Sequence, residues 1–173
     1  MSEEYLDKRS IKRIEKWISK VKKRGYSTNN SDASLARRKL KLYYPFIDAG
    51  KNRIVYDISD DKVLKIAISV KGIEDNNQEA KIYKSVSSTL KRRLAKVYES
   101  GHGWVIMEKL DKKVPETKSY EKKVIKLHKK FKKKHIDPGD IVKERKRLKA
   151  KWKNVRLKKG KILVIDYGNF KID

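Results

Sequence analysis

Hydrophobic residues at the start of the chain recur at mixed three- and four-residue steps, the period of an amphipathic helix. The positions between them are rich in lysine and arginine. This pattern predicts a helix over residues 2–24 with a basic outer face, ended by Gly25. The polar run 27–32 predicts a linker, and a short second helix is expected directly after it.

From about residue 42 the hydrophobic period shortens to that of strands. Runs of β-branched and aromatic residues, bounded by Asp, Asn, Gly and Ser, predict five strands. These lie at residues 43–47, 53–58, 62–68, 95–98 and 104–108. A helical pattern over 76–87 separates the third of these strands from the fourth.

The C-terminal third returns to a helical period before it ends in strands. Residues 120–134 predict a helix with a dense lysine face, and 141–151 predict a second basic helix. A hairpin follows, with strands at 155–157 and 162–165 around the turn 158–161. Helices and antiparallel strands in this order predict an α+β protein.

The excess of basic residues is the most informative feature of the composition. Lys and Arg number 48 against 22 Asp and Glu among 173 residues, a formal charge of +26. Such an excess favours a polyanionic partner, nucleic acid first and an acidic protein or anionic surface second, although a lysine-rich proteome or a thermophilic host would also produce it. The absence of cysteine excludes disulfides and thiolate chemistry. No secretion signal or membrane-spanning run is evident, so we expect a cytoplasmic protein, or one packaged in a particle made inside a cell.

Several short stretches stand in the order in which protein-kinase catalytic domains use similar ones. They are a strand lysine, Lys65; Glu79 in the next helix; Met107-Glu108 after the fifth strand; Asn154; and Asp166-Tyr167-Gly168. On these residues the run 47–168 resembles a protein-kinase-like domain as far as its metal-binding motif, and is similar to small kinase-like proteins of phages and other viruses. The resemblance implies a truncated domain with three parts: a basic helical extension over 1–41, an N-lobe over 42–110 and a minimal C-terminal portion over 111–173.

The resemblance also implies roles for these residues. Lys65 would contact the inner phosphates of ATP, and Glu79 would hold its ammonium group in place. Met107 and Glu108 would begin the hinge that borders the nucleotide. Asp166 and Asn154 would bind Mg²⁺, with Tyr167 as an inward-packed spacer. Ordinary alternatives stay open: Lys65 as a solvated strand lysine, Glu79 as a surface helix charge, and Asp166 as the end of a strand.

Two stretches depart from the kinase pattern. In the loop that should be glycine-rich, Gly50 takes the middle position, while Asp48 and Arg53 occupy the outer two. Glycines there let backbone amides approach phosphate, so their replacement at two positions is expected to weaken nucleotide binding. Aspartate would oppose phosphate, an effect that Lys51 and Arg53 could offset.

The catalytic aspartate is also displaced. Counting back from Asn154, its place is taken by Lys149, and the candidates are Asp137 and Asp140 further upstream. Either needs a basic insertion before Asn154 that folds away from the site. A turn or helix-cap role for these aspartates is the alternative.

Two functions are compatible with these residues. One is an atypical or degenerate serine/threonine-kinase-like protein that binds ATP and Mg²⁺ and transfers phosphate to itself or to a substrate presented by a partner. The other is a polyanion-binding or viral structural protein on a pseudokinase scaffold. Its surface would be the basic helices: Lys12, Arg13, Lys16, Lys20, Lys22, Lys23, Arg24, Lys129, Lys130, Lys132, Lys133, Lys134, Lys143, Arg145, Lys146 and Arg147.

Overall fold

The computed structural model describes residues 5–24, 30–144 and 146–173. They form two compact units, which are described separately. Unit 1 comprises the described residues of 1–77 together with Val97–Glu108, and unit 2 comprises Gln78–Lys96 and Lys109–Asp173. Within the described residues, no helix is long and apolar enough to cross a membrane.

Unit 1 is a five-stranded antiparallel sheet covered by helices. The strands are β1 (Phe46–Ala49), β2 (Arg53–Ser59), β3 (Lys62–Ala67), β4 (Val97–Gly101) and β5 (Trp104–Glu108). They lie in the order β1-β2-β3-β5-β4 across the sheet. The helices are α1 (Lys8–Arg24), α2 (Asn30–Leu40) and the first residues of α3 (Val70–Ser85). The predicted α+β class is confirmed, with α3 inserted between the third and fourth strands.

The N-terminal helix packs on this sheet. Ile14, Trp17 and Val21 are almost fully buried in the same apolar cluster as Leu64 and Ile66 of β3. Because a buried indole N–H needs an acceptor, Trp17 donates from Nε1 to the carbonyl of Ala67 at 2.9 Å. The helix predicted from hydrophobic period is thus an integral part of the core of unit 1.

A glycine at the β4–β5 turn permits this packing. Gly103 has φ +79°, and a Cβ there would lie 2.5 Å from Cδ1 of Ile18. A side chain at position 103 would therefore be strained by the backbone and would also collide with α1.

Unit 2 combines helices with three short antiparallel strand pairs. The helices are the last residues of α3, α4 (Ser88–Lys91) and α5 (Lys118–Lys132). The strand pairs are β6 (Ile136–Asp137) with β11 (Lys171–Ile172), β7 (Val142–Glu144) with β8 (Leu148–Ala150), and β9 (Val155–Lys158) with β10 (Lys161–Val164). A single 3₁₀ turn, Trp152–Asn154, precedes β9. The side chains of Phe131, Tyr167 and Phe170 are buried in this unit.

One predicted helix is wrong. Residues 141–151 form the hairpin β7–β8, in which Val142 pairs with Ala150 and Glu144 with Leu148. Lys, Arg and Glu are good helix formers, which is why the stretch reads as a helix. Val142 and Ala150 are buried, and both strands pack against α5, so tertiary burial decides the structure. The basic residues Lys143, Lys146 and Arg147 lie on a hairpin, and Arg145 is outside the described residues.

The other elements match with shifted ends. The strands at 53–58, 62–68 and 104–108, the helix at 120–134 and the C-terminal hairpin are confirmed as β2, β3, β5, α5 and β9–β10. α3 begins at Val70, earlier than predicted, because the hydroxyl oxygen of Ser69 caps it by accepting from the Gly72 N–H at 3.0 Å. Gly25 and residues 27–29 of the predicted linker lie outside the described residues, whereas residues 30–32, also predicted as linker, belong to α2.

Candidate functional site

In unit 2, the hairpin β9–β10 brings together two residues that are distant in sequence. Asn154 immediately precedes β9, and Asp166 comes just after β10. The strands are paired up to Val155 and Val164, and the N–H of Ile165 donates to the carbonyl of Asn154 at 3.0 Å. Both predicted metal ligands therefore flank the open end of one hairpin.

The side chain of Asn154 is oriented by a further hydrogen bond. Its Nδ2 donates to the carbonyl of Asp140 at 2.7 Å, and the residue is only 5% exposed. With the amide nitrogen used in this way, the amide oxygen is the atom that remains for a ligand. In the part of the chain that the structure describes, no group of three His, Cys, Asp or Glu residues is arranged so that it could hold a metal ion. One carboxylate and one amide oxygen suit Mg²⁺ bound jointly with phosphates, because that ion usually has one or two protein carboxylates and shares its remaining positions with phosphate and water.

Asp140 is held at both carboxylate oxygens. Lys151 Nζ lies 3.1 Å from Oδ1 and also donates to the carbonyl of Gly139 at 3.1 Å. The Nδ2 of Asn169 donates to Oδ2 at 2.5 Å. This carboxylate is thus fixed in orientation within the same group of residues as Asn154. Asn169 and Lys151 were not predicted from the sequence, since neither belongs to a motif.

The hairpin β7–β8 lies between Asp140 and Asn154 in sequence but leaves them neighbours in space. At its base the N–H of Lys151 donates to the carbonyl of Ile141 at 2.9 Å. Without the hairpin, Asp140-Ile141 would continue directly into Lys151-Trp152-Lys153-Asn154. That arrangement has the Asp-x-x-x-x-Asn spacing of a kinase catalytic loop. Lys149, which sequence counting puts at the aspartate's place, is an exposed residue of β8.

Asp137 has different surroundings. It lies on β6, where its backbone pairs with Lys171, and its carboxylate forms an ion pair with Lys132 Nζ at 2.9 Å. Its side chain is 39% exposed. The two candidate aspartates are therefore held by different partners, and only Asp140 is hydrogen-bonded to Asn154.

The Asp166-Tyr167-Gly168 segment is anchored through its central residue. Tyr167 is fully buried, its hydroxyl donates to the carbonyl of Ala95 at 2.8 Å, and its N–H donates to Glu79 Oε1 at 3.1 Å. Glu79 is also fully buried, which excludes the alternative of a surface helix charge. One residue earlier on α3, Gln78 Nε2 donates to the carbonyl of Phe170 at 2.6 Å. The helix therefore fixes the backbone on the C-terminal side of Asp166.

In unit 1, Lys65 lies on β3 opposite Val105 and is 8% exposed. This burial excludes the alternative of an ordinary solvated strand lysine. Met107 is buried on β5, and Glu108 is the last residue of that strand. Both therefore end the strand from which the predicted hinge would leave.

Gly50 lies in the β1–β2 turn, where its N–H donates to the carbonyl of Arg53 at 2.9 Å. This turn is tied to the start of α3: the carbonyl of Asn52 accepts from the Ile68 N–H at 2.8 Å, and its Oδ1 accepts from the Ser69 hydroxyl at 2.9 Å. A Cβ on Gly72 would lie 2.1 Å from the Asn52 carbonyl oxygen. These contacts fix the C-terminal end of the β1–β2 loop, which is expected to cover the phosphates.

Arg53, which was expected to offset Asp48 near phosphate, is engaged elsewhere. Its Nη1 donates to Asn76 Oδ1 at 3.0 Å, and Asn76 Nδ2 donates to the carbonyl of Gly103 at 3.0 Å. Asn76 is buried at 1% exposure and links β2, α3 and the β4–β5 turn. Sequence reasoning missed it, because a single asparagine in a polar helix gives no signal.

Neither the protein-family models nor the curated proteins contain a match to this chain. Among solved structures, the chain is similar to APH(2")-IIa in its ternary complex with streptomycin and ATP, with a TM-score of 0.46 and 9% identity. The similarity covers 85% of this chain and 74% of that one. At these values the similarity does not indicate an activity for the present protein.

Proposed function

We propose that this protein is an atypical kinase-like phosphotransferase that binds ATP with Mg²⁺ and uses Asp140 as its general base. The observation that carries the proposal is the hairpin insertion, because the Ile141–Lys151 backbone contact makes Asp140 and Asn154 near neighbours in a loop of kinase spacing. Met107, Glu108 and Gly50 would border the nucleotide, and Lys65 would contact its phosphates. Glu79 would support this arrangement through its contact with the Tyr167 backbone.

Four polar residues of unit 2 would have different roles in the transfer: Asp140, Lys151, Asn154 and Asp166. Bound Mg²⁺ supplies positive charge that neutralises the transferred phosphate. Asp166 and Asn154 offer the hard oxygen ligands that such an ion prefers. Asp140 would accept the proton of the substrate hydroxyl, and Lys151 keeps that carboxylate oriented at 3.1 Å. The phosphate acceptor would be a hydroxyl of this chain or of a substrate held by a partner.

The two aspartates provide a matched test of the base. ATP turnover and self-phosphorylation would be followed by phosphate release and mass spectrometry in wild type, Asp140→Asn and Asp137→Asn. General-base removal is expected to lower the transfer rate by about 10²–10⁴-fold in Asp140→Asn while ATP binding is retained. Asp137→Asn loses only a partly exposed ion pair, which solvent screens, and should transfer at the wild-type rate. An unchanged rate in Asp140→Asn would refute its role.

Nucleic-acid binding is a second candidate, supported by the outer face of α5. Its exposed lysines and those of the β7–β8 hairpin, which packs against it, belong to one unit: Lys118, Lys122, Lys123, Lys126, Lys129, Lys130, Lys132, Lys143, Lys146 and Lys149. Lysine contacts to phosphate give affinity that falls steeply with salt. A labelled RNA or DNA whose affinity is independent of salt would count against this role.

A further inference from the structure

A concentration of cations around a concave surface lies in unit 1 and includes none of the residues proposed above for the phosphotransferase. A cavity of about 500 Å³ opens where α1 and α2 meet. Eight residues line it, six of them cationic: Arg13, Lys16, Lys20, Arg38, Lys39 and Lys41, with Trp17 and Leu35 as the others. The described lining thus contains no carboxylate.

The cations converge because both helices present one face to the cavity. Arg13, Lys16 and Lys20 are spaced three and four residues apart on α1 and therefore share a face. On α2, Arg38 and Lys39 occupy the next turn after Leu35. The buried indole of Trp17 forms an apolar part of the wall.

The backbone around the cavity is fixed by contacts between its two helices. Arg13 Nη1 donates to the carbonyl of Lys41, which ties α1 to the residue after α2. Lys41 has φ +48°, a left-handed conformation that is uncommon for a residue with a side chain. The end of α2 is thus held against α1 at the cavity.

Holding these cations together is unfavourable in the free protein. Desolvation lowers the pKa of Lys20, and repulsion by Lys39, Lys16 and Arg24 lowers it further. Like charges on a helix face destabilise it, and α1 carries one acidic residue, Glu15, which is not among the lining residues. An anion in the cavity would convert this repulsion into attraction.

We propose that the α1–α2 cavity is a binding site for a small oligophosphate, a compact anion with several negative charges. A concave wall with cations from two helices suits a compact ligand, whereas a nucleic-acid backbone is contacted along an open, extended surface. The cavity volume lies within the range of small-molecule sites. This site goes beyond the proposed phosphotransferase activity and does not depend on it.

Inorganic pyrophosphate is the probe. Its binding would be measured by calorimetry in EDTA, at about 0.15 M salt, where contacts between distant surface charges are largely screened. Wild type should bind, and Lys16→Gln and Lys39→Gln should each weaken binding by about tenfold, the effect of one lost charge-assisted contact. Lys12→Gln is the matched control, since Lys12 is exposed on α1 and does not line the cavity.

A second readout distinguishes this site from a merely basic surface. Without pyrophosphate, Lys39→Gln should raise the unfolding temperature, because it removes repulsion with Lys20, yet the further rise that pyrophosphate gives should be smaller in this variant than in wild type. Lys65→Met should leave pyrophosphate binding unchanged, which separates this site from the proposed nucleotide site. Absence of binding by wild type, equal weakening by Lys12→Gln, or tighter binding of a single-stranded oligonucleotide that depends on Lys16 would overturn the proposal.

Discussion

Tyr167 is the largest fully buried side chain among the described residues, and both of its polar ends are bonded inside unit 2. Its hydroxyl reaches the carbonyl of Ala95, and its ring packs near Phe170 at a centroid distance of 5.9 Å. Tyr167 therefore contributes a hydrogen bond that Phe at this position could not.

This hydrogen bond gives the first prediction. Tyr167→Phe should lower the free energy of unfolding by about 1–3 kcal/mol, because the Ala95 carbonyl would be left buried without that donor. Tyr43→Phe is the matched control, since Tyr43 is 81% exposed and should change stability by less than about 0.5 kcal/mol. Chemical denaturation of both variants measures the difference. Equal effects would show that the hydroxyl of Tyr167 contributes nothing.

His128 is the residue whose titration should affect stability. It is buried on α5, its Nδ1 has no hydrogen-bond partner in the described part of the chain, and Glu144 Oε1 lies 3.8 Å from Nε2. Burial lowers the pKa of His128, although the carboxylates of Glu144 and Asp137 act in the opposite direction and Lys132 and Lys129 add to the lowering. The folded protein therefore holds this imidazole neutral below the pH at which the unfolded chain protonates it.

The sign of the pH effect follows from that difference. Stability is fully present above about pH 6.5, the value for an unperturbed histidine, and falls as the pH decreases towards the lowered pKa of the folded state. His128→Leu should lose less stability than wild type between about pH 7.5 and 5.5. His102→Asn, which replaces an exposed histidine, is the control for the substitution of a histidine. Thermal unfolding across this range measures it. Identical pH profiles for wild type and His128→Leu would contradict the assignment.

Among the secondary-structure elements, the β1–β2 turn is hydrogen-bonded to the residues at the start of α3. Asn52 is bonded to both Ile68 and Ser69, and Gly72 leaves no space for a side chain beside the Asn52 carbonyl. These contacts limit the conformational freedom of the β1–β2 loop, which would cover a nucleotide. Gly50, by contrast, has open surroundings, because a Cβ at this position would lie 3.9 Å from its nearest neighbour, a backbone carbonyl oxygen.

These two glycines form a matched pair of variants. Gly72→Ala should lower the free energy of unfolding by about 1–3 kcal/mol, the usual cost of forcing atoms into a packed site. Gly50→Ala should leave stability within about 0.5 kcal/mol of wild type, so any loss of ATP affinity in it would reflect the loop's contact with phosphate. Urea unfolding of both variants provides the comparison. If Gly72→Ala leaves the free energy of unfolding unchanged, the β1–β2 turn and α3 are not in close contact at Gly72.

The hydrophobic period predicted the sheet of unit 1, α5 and the C-terminal hairpin, because each has a regular pattern of apolar and polar residues over a long enough run. It failed over 141–151, where helix-forming Lys, Arg and Glu conceal a hairpin whose buried residues Val142 and Ala150 gain more from packing on α5. The order of Lys65, Glu79, Asn154 and Asp166 could be read from the sequence. The partners of Asp140 could not, because Lys151 and Asn169 become its neighbours only after the hairpin folds and the chain returns.

At the scale of the molecule, the formal charge of +26 is distributed over several basic surfaces. The α1–α2 cavity, the face of α5 and the β7–β8 hairpin each carry several cations, and each would attract anions. Any nucleotide measurement on this protein therefore needs enough salt to suppress general anion binding, and a variant that removes the proposed metal ligand but keeps the basic surfaces.

In the proposed function, the chain binds ATP through a metal held at Asp166. Thermal unfolding with Mg²⁺-ATP, with ATP in EDTA and without ligand, at about 0.15 M salt or above, tests it most directly. Wild type should gain about 2.7 kcal/mol of stability at a ligand concentration of about 100 times Kd, only when Mg²⁺ is present, and Asp166→Ala should lose this gain. A wild-type protein that gains nothing, or that gains equally in EDTA and in Asp166→Ala, would contradict the account.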